Sequence, residues 1–238
     1  MWLLLPLKDF VKAKQRLSGC LSVAERRALF QHMVEDVMAV LSTLPENSRL
    51  ILVSDDPAAH LLAEHFAADC WPESELGSGL NAVLEAALTR IASRADAPSR
   101  VMIVHGDLPL LNISELQQLC ALQGYADDAV AIATDRHGSG SNAVLMPLQR
   151  RIPLRYGENS LDAHRQEAEY AGLHFFVQQS PCLAQDIDTR DDLLTLVSQG
   201  DRECAPQTMA YLHRSGIARR MRQMNTEPNL LNREQQGS

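Results

Sequence analysis

The sequence RVMIVHGDLPLL at residues 100–111 contains a strand-length apolar run that is followed directly by an acidic residue. The run Arg100–His105 is too short for a helix and rich in strand formers, so it predicts a buried strand. Open α/β sheets bind ligands beyond the carboxyl ends of their strands. Asp107 is therefore predicted at a ligand-binding edge, although a turn aspartate or a helix cap would give the same sequence.

Similar apolar runs alternate with helical patterns along most of the chain. Strands are predicted at Trp2–Pro6, Arg49–Ser54, Ala129–Thr134, Asn142–Met146 and His174–Gln178. Helices are predicted at Ser22–Leu44, Pro57–Ala68, Gly79–Arg94, Asn112–Gln123, Ser160–Ala171 and Thr189–Gln199. Continuous apolar strands that alternate with helices predict an α/β fold, with a mostly parallel sheet and helices on both faces.

The composition changes after Pro206, which predicts one domain over residues 1–205 and a separate C-terminal segment over residues 206–238. Met209–Gln223 is predicted to be a helix with several arginines. The polar end of the chain has few core-forming residues and is predicted to be disordered or a surface tail.

Charge and cysteine content exclude several classes of protein. The chain has 238 residues and a net charge of −8, which argues against non-specific nucleic-acid binding but allows a local basic pocket. Its five cysteines are odd in number and lack C-x-x-C spacing, so reduced thiols are expected. The apolar N-terminal run is too short for a secretory signal, and no stretch could span a bilayer. A cytoplasmic protein with no membrane partner is expected, while the sequence indicates no particular oligomeric state.

A cluster of cations follows the first predicted strand, in the sequence P-L-K-D-F-V-K-A-K-Q-R-L. Lys8, Lys14 and Arg16 stand out because the protein is otherwise acidic. Lysine offers a compact ammonium donor and arginine a planar guanidinium with paired N–H donors, and both bind phosphate oxygens, so such a loop suits a polyphosphate. The loop lacks the G-x-x-x-x-G-K-[ST] motif and is not a P-loop. A solvated surface loop would have the same composition.

A second acidic segment, Q-D-I-D-T-R-D-D-L, lies near the end of the predicted domain. If it is a strand, Asp186 and Asp188 are two residues apart and point to the same face. Asp188 is either a metal ligand or the N-cap of the following helix. Magnesium prefers one or two carboxylates together with phosphate oxygens. Asp107 and Asp188 are therefore the predicted ligands of a Mg²⁺ cofactor.

Three segments rich in small residues are candidate binding loops. L-G-S-G-L-N-A-V at residues 76–83 is not in the first strand–helix turn, so it is not a dinucleotide fingerprint. We interpret Gly79 and Asn81 as a helix start that lines a nucleobase pocket. G-S-G-S-N-A at residues 138–143 can grip a phosphate through hydroxyl and backbone N–H groups. In R-Y-G-E-N-S-L-D-A-H, Ser160 starts a helix whose N-terminus is a candidate anion-binding site. His164 lies one turn later on the same helix face, and a packing or surface histidine would fit this position as well.

Taken in order, these motifs resemble the CofC-type guanylyltransferases of coenzyme F420 biosynthesis. The matching pieces are P-L-K with K-Q-R-L, G-L-N-A, D-L-P-L-L, G-S-G-S-N-A, Y-G-E-N-S with the later histidine, and D-I-D-T. The resemblance implies a Rossmann-like nucleotidyltransferase (GT-A-like) fold, GTP as donor and Mg²⁺ as cofactor. It implies a phosphorylated three-carbon acid as acceptor: 2-phospho-L-lactate, phosphoenolpyruvate or 3-phospho-D-glycerate. Pyrophosphate is the expected leaving group.

The resemblance also implies that acceptor binding falls on Ser141 or Asn142, on Gly157 and on Ser160. From their charge and position, Lys8, Lys14 and Arg16 are expected to neutralise the triphosphate and the leaving pyrophosphate. The family usually has threonine where this chain has Ser139 and Ser141, and often proline at the position of Arg190. These departures affect the identity of the acceptor more than the type of reaction.

Three other functions are compatible with the sequence. One is a same-fold nucleotidyltransferase that makes a cytidylyl or molybdopterin-guanine product. Another is a sugar-nucleotide glycosyltransferase, and the third is a non-catalytic nucleotide-binding module. The acidic pair with its cation loop argues against the non-catalytic module, and the small Ser/Gly loop argues against a bulky pterin.

Overall fold

A seven-stranded sheet forms the centre of the protein. The structure is a computed structural model that describes residues 1–45, 48–124, 126–199 and 204–224. The strands are β1 (Trp2–Pro6), β2 (Arg49–Val53), β3 (Asp69–Trp71), β4 (Arg100–Val104), β5 (Ala129–Thr134), β6 (Ser141–Pro147) and β7 (His174–Gln178). Their spatial order is β3-β2-β1-β4-β6-β5-β7.

Helices connect most of the strands. They are α1 (Val23–Leu41), α2 (Pro57–His65), α3 (Leu80–Ala92), α4 (Ile113–Gln123), α5 (Ser160–Tyr170), α6 (Arg190–Gln199) and α7 (Pro206–Arg214), and residues 217–224 are also helical. Helix α1 begins with a capping box, since Ser22 accepts from the Glu25 N–H and Glu25 accepts from the Ser22 N–H. No helix in the described part of the chain is long and apolar enough to cross a membrane.

Strand β6 runs against its two neighbours, β4 and β5, and every other pair in the sheet is parallel. Because β6 is reversed, its first residue, Ser141, lies at the edge where β4 and β5 end. The His105 N–H donates to the Asn142 carbonyl at this edge, with 3.3 Å between N and O. One edge of the sheet therefore collects the carboxyl ends of six strands and the start of β6.

The strands alternate their side chains between two hydrophobic cores. On one face, Leu3, Leu5, Met102 and Val104 pack with α1, α2, α4, α6 and α7. On the other face, Leu4 and neighbouring strand residues pack with α3 and α5. A sheet that is buried on both faces requires apolar residues at successive positions, which is why these strands are continuous apolar runs.

The fold class is confirmed, and the other predicted elements are confirmed with end shifts of a few residues. The prediction of one helix over Met209–Gln223 is wrong: α7 ends at Arg214, and Ser215 and Gly216, with a φ of 76° at the glycine, separate it from the helical residues 217–224. The strand β3 was not predicted, because its three residues Asp69, Cys70 and Trp71 carry no periodic signal. Nor do residues 185–189 form the strand considered for the D-I-D segment. The predicted polar tail lies largely outside the described residues.

Helix α7 packs directly against α1. The buried carboxylate of Asp36 in α1 accepts from the backbone N–H groups of Gln207 and Thr208, at 2.9 Å each, and so caps the start of α7. Met209 and Leu212 of α7 are buried in the same core as the sheet. That the domain ends near residue 205 stays a prediction. A variant of α7 can test whether this helix contributes to the stability of the domain.

We expect Leu212→Ala to lower the free energy of unfolding by about 2–5 kcal/mol, because it leaves a cavity at a side chain that is 0 % exposed. Gln207→Ala is the matched control: its side chain is exposed, and its N–H can still bind Asp36, so we expect a change within about 0.5 kcal/mol. Urea denaturation measures both. An unchanged stability in Leu212→Ala would support a domain that ends before α7.

Candidate active site

A cavity of about 590 Å³ opens at the edge where the strands end. The loop after β1 contributes Lys8 and Lys14, and the loop after β4 contributes Asp107. Asp188, just before α6, and Gly79, at the start of α3, complete the part of the wall discussed here. Five residues predicted from four separate motifs thus line one cavity.

The ammonium group of Lys14 lies between the two predicted metal ligands. Its Nζ atom is 2.5 Å from Asp107 Oδ2 and 3.6 Å from Asp188 Oδ1. Arg16 Nη1 is 3.0 Å from Asp188 Oδ2. Only 4 % of the Lys14 side chain is exposed, against 70 % of the Arg16 side chain. The two carboxylates therefore both contact one buried positive charge, and the exposed Arg16 contacts Asp188 from the solvent side.

The backbone around Lys14 holds this charge in place. Lys14 has a left-handed conformation (φ 55°, ψ 41°), which costs a non-glycine residue about 1–2 kcal/mol. Its carbonyl accepts from the Leu17 N–H at 3.0 Å, and the preceding Ala13 carbonyl accepts from Arg26 Nη1 at 3.2 Å. Arg26 is itself buried. The loop is therefore built around the position of Lys14, as is common for strained residues at functional sites.

Neighbouring charges separate the pKa values of two nearby carboxyl groups. Burial acts to raise the pKa of Asp107, but the ammonium of Lys14 overcomes this and holds that pKa below its usual range. Burial, together with the negative charge of Asp107, raises the pKa of Asp186. Asp107 is thus the carboxylate that stays ionised most readily.

Asp188 is not the cap of the helix that follows it. Asp192 Oδ2 accepts from the N–H of Asp188 at 3.0 Å, and from the N–H and hydroxyl of Thr189 at 2.6 and 2.8 Å. Asp192 is buried and also forms an ion pair with Arg136. Because Thr189 and Asp192 cap the helix together, the Asp188 carboxylate is left to contact Lys14 and Arg16.

The predicted acceptor residues form a second cluster beside the cavity. Ser141 at the start of β6 and Ser160 at the start of α5 have hydroxyl oxygens 3.2 Å apart. Gly157 has a φ of 145° and open space at its Cβ position. The Asn142 amide donates to the Leu183 carbonyl at 2.9 Å, so that side chain braces the segment leading to Asp188.

The two predicted nucleotide-binding residues have different surroundings. Gly79 precedes α3 with a φ of 85° and lines the cavity. Asn81 exchanges two hydrogen bonds with the backbone of Tyr156, at 2.8 and 2.9 Å. The amide of Asn81 therefore joins the start of α3 to the loop that carries Gly157.

The importance of Glu115 was not apparent from the sequence. The sequence N-I-S-E at residues 112–115 has the spacing of a capping box, and Asn112 does cap α4, with its Oδ1 2.9 Å from the Glu115 nitrogen. The Glu115 carboxylate does not return to that cap; it binds the Ser180 hydroxyl and the N–H groups of Cys182 and Leu183. This buried carboxylate anchors the segment that ends in Asp188, and a capping-box pattern conceals such a long-range contact.

The whole chain matches a family of nucleotide-transferring enzymes. The family model described as "Guanylyl transferase CofC like" matches residues 1–229. The chain belongs to this family. The match confirms the family resemblance and the nucleotidyltransferase class inferred from the motifs, and it extends beyond Pro206.

Curated relatives carry a more specific name. A phosphoenolpyruvate guanylyltransferase of Conexibacter woesei is 34 % identical over 80 % of this chain and 84 % of its own length. A protein of the same name from Roseiflexus castenholzii is 32 % identical over 91 % of this chain and 97 % of its own length. The similarity therefore covers most of the length of both relatives.

Solved structures with the same fold are more distant in sequence. A chain from Desulfovibrio desulfuricans, provisionally described as a nucleotide-diphospho-sugar transferase, has a TM-score of 0.74 at 18 % identity and covers 93 % of this chain and 96 % of its own length. A cytidylyltransferase from Leptospira borgpetersenii has a TM-score of 0.52 at 13 % identity, with coverage of 91 % and 94 %. These matches establish the fold of this CofC-like protein.

We expect Asp192→Ala to lower the free energy of unfolding by about 1–3 kcal/mol, since it leaves the partly buried N–H groups of Asp188 and Thr189 without their acceptor. Asp191→Ala is the control, because this neighbour is exposed. Urea unfolding at pH 7 measures both variants, and equal stabilities would contradict the capping role.

The effect of Asp192→Ala should also depend on pH. Burial acts to raise the pKa of Asp192, but hydrogen bonds from Thr189 and Asp188 hold it below its ordinary value. A carboxyl group whose pKa is lowered by folding stabilises the protein above its unfolded pKa of about 3.9 and loses that contribution as the pH falls through the folded pKa. The difference between wild type and variant should therefore shrink in acid.

Proposed function

We propose that this protein transfers GMP from GTP to a small phosphorylated three-carbon acid and releases pyrophosphate. The observation that carries the proposal is the pair of carboxylates, Asp107 and Asp188, converging on buried Lys14 beside the serine pair. Membership of the CofC-like family supports guanine as the base. The names of the relatives favour phosphoenolpyruvate as the first acceptor to test, ahead of 2-phospho-L-lactate and 3-phospho-D-glycerate.

The donor atoms at this edge fit a magnesium ion. Asp107 and Asp188 offer oxygen ligands only, and Mg²⁺ typically takes one or two carboxylates and fills its other positions with water and phosphate oxygens. In the described part of the chain, no three His, Cys, Asp or Glu side chains form a larger metal-binding group. When bound, Mg²⁺ would supply positive charge that offsets the repulsion between the two anionic reactants.

The chemical step requires two anions to be brought together in line. An acceptor phosphate oxygen forms a bond to the α-phosphorus of GTP, while the bond from that phosphorus to the bridging oxygen breaks and its electrons leave with pyrophosphate. Charge repulsion and orientation dominate the barrier. An acceptor phosphate monoester is already largely ionised near pH 7, so no general base is needed.

The cations of the β1 loop match this requirement. Lys14 is buried, so its charge is poorly screened and acts strongly at short range. Lys8 lines the same cavity. Arg16 is exposed and contacts Asp188, and its planar guanidinium with paired N–H donors suits a leaving pyrophosphate. We assign Lys14 and Lys8 to the triphosphate and Arg16 to the departing group.

The proposed product determines where the protein would act. A guanylylated three-carbon acid is an activated intermediate, and we place it in the assembly of coenzyme F420. GTP and small phosphorylated acids are intracellular metabolites, so we place the reaction in the cytoplasm.

The activity is tested by incubating the protein with Mg²⁺, one of the four common NTPs and one of the three acids, and measuring pyrophosphate release. We expect GTP with one acid to give kcat/KM at least about 10-fold above every other NTP, which corresponds to about 1.4 kcal/mol. Comparable rates with CTP or UTP would refute the donor assignment. Pyrophosphate release without consumption of any acid would refute transfer to a phosphorylated acid and favour a different acceptor class.

We expect Asp107→Asn to reduce kcat at least about 100-fold even at saturating Mg²⁺, because an amide is a poor magnesium ligand and cannot balance the charge of Lys14. Asp55→Asn is the matched control: Asp55 also follows a strand at this edge, but its carboxylate caps Ser74. Thermal melting should show that both variants are folded. Near-normal turnover in Asp107→Asn would remove this carboxylate from the mechanism.

A further inference from the structure

His164 is a fully buried histidine whose two ring nitrogens both have partners. Its side chain lies in α5 and is 0 % exposed. The Arg155 backbone nitrogen is 2.9 Å from Nε2, and the Ser141 hydroxyl oxygen is 3.0 Å from Nδ1. One ring thus connects a fixed backbone donor to a residue of the serine pair.

These contacts determine which nitrogen carries the proton. A backbone N–H can only donate, so Nε2 must accept from Arg155 and cannot itself carry hydrogen. Burial lowers the pKa of His164 to about 4, so the ring is neutral at pH 7. The single ring hydrogen is therefore on Nδ1, which donates to Ser141.

The direction of this hydrogen bond controls the serine pair. The hydrogens of His164 Nδ1, Ser141 and Ser160 face only two acceptor oxygens within the cluster, those of the two serines. The Nδ1 hydrogen uses one lone pair of Ser141, and one hydroxyl hydrogen spans the 3.2 Å between the serine oxygens. The other hydroxyl hydrogen has no acceptor in the described part of the chain, whichever serine donates to its partner.

A serine hydroxyl hydrogen that lacks an acceptor within the protein can donate to an oxygen of a bound anion. Ser160 is also the first residue of α5, where backbone N–H groups favour negative charge. Strand β6 places Ser141 at the same edge as Asp107, and the rings of His105, Tyr156 and His164 pack edge-on between the two clusters, with centroids 5.1 Å apart. The serine pair is thus beside the proposed reaction site.

We propose that His164 is a positioning residue that makes the Ser141–Ser160 pair a one-way hydrogen-bond donor to the phosphate or carboxylate oxygens of the acceptor. The Arg155 N–H can only donate, and this fixes the direction of the next hydrogen bond, from His164 Nδ1 to Ser141. The inference rests on the proposed function, because it needs an anionic acceptor at this place. A role in packing alone would involve the same burial and ring contacts but no directional effect on the acceptor.

The kinetic test compares His164→Leu with His164→Asn. Leucine cannot donate to Ser141, so the serine pair is no longer directed at the acceptor acid. The KM for that acid should rise about 10-fold or more, as expected when a hydrogen bond from the pair to a charged oxygen is lost. The KM for GTP should change less than about twofold. Asparagine keeps an N–H donor on a short side chain and should recover part of the acceptor affinity. Leu161→Ala, a buried cavity variant of the same helix, should lower stability without raising the acceptor KM.

A double-mutant cycle separates action through Ser141 from a direct effect of the ring. Adding His164→Leu to Ser141→Ala should raise the acceptor KM much less than it does in the wild-type background. Equal increases in both backgrounds would overturn the proposal. So would a His164→Leu variant that is folded and has the wild-type acceptor KM.

Nitrogen-15 NMR of the wild-type imidazole gives a test that needs no variant. We expect a neutral His164 with its proton on Nδ1 at pH 7, and a proton on Nε2 would overturn the inference even if every leucine variant misfolds. If the wild type transfers GMP to an acid but these tests fail, only the role of His164 is lost. If it transfers no nucleotide to any acid, the proposed function fails first.

Discussion

The burial of the Lys14 ammonium is the constraint on which the rest of the site depends. A buried charge is costly unless it is paired, and removing its partner is far worse than never having the pair. Asp107 and Asp188 provide that pairing from loops that are distant in sequence. Every element that anchors these loops, from Arg26 under the β1 loop to Asp192 beneath Asp188, therefore contributes to one electrostatic centre.

The reversed strand β6 is the second determinant. In a wholly parallel sheet its first residue would lie at the opposite edge, remote from Asp107. Because β6 is antiparallel to β4 and β5, Ser141 begins next to the end of β4, where α5 brings Ser160 and His164 to it. The residues that we propose bind the polyphosphate and those that we propose bind the acceptor thus share one edge through a single change of strand direction.

Secondary structure was largely predictable from local patterns, and the exceptions have specific physical causes. Continuous apolar runs marked the strands because the sheet is covered on both faces. The three-residue strand β3 is too short to show any period. Glu115 fitted a capping box, yet its carboxylate binds a loop far along the chain, since a buried acid takes the partners that packing presents to it.

The sequence by itself determined the fold class, the family and the residue types that can carry the chemistry, because periodicity and ordered motifs are local properties of the chain. Tertiary structure alone decided which contacts each candidate residue makes. Asp188 was equally suited to capping and to ligand binding until Thr189 and Asp192 were seen to cap the helix. His164 was indistinguishable from a packing residue until its two nitrogens were seen to have different partners. These roles depend on contacts between distant segments, and such contacts follow from packing rather than from spacing along the chain.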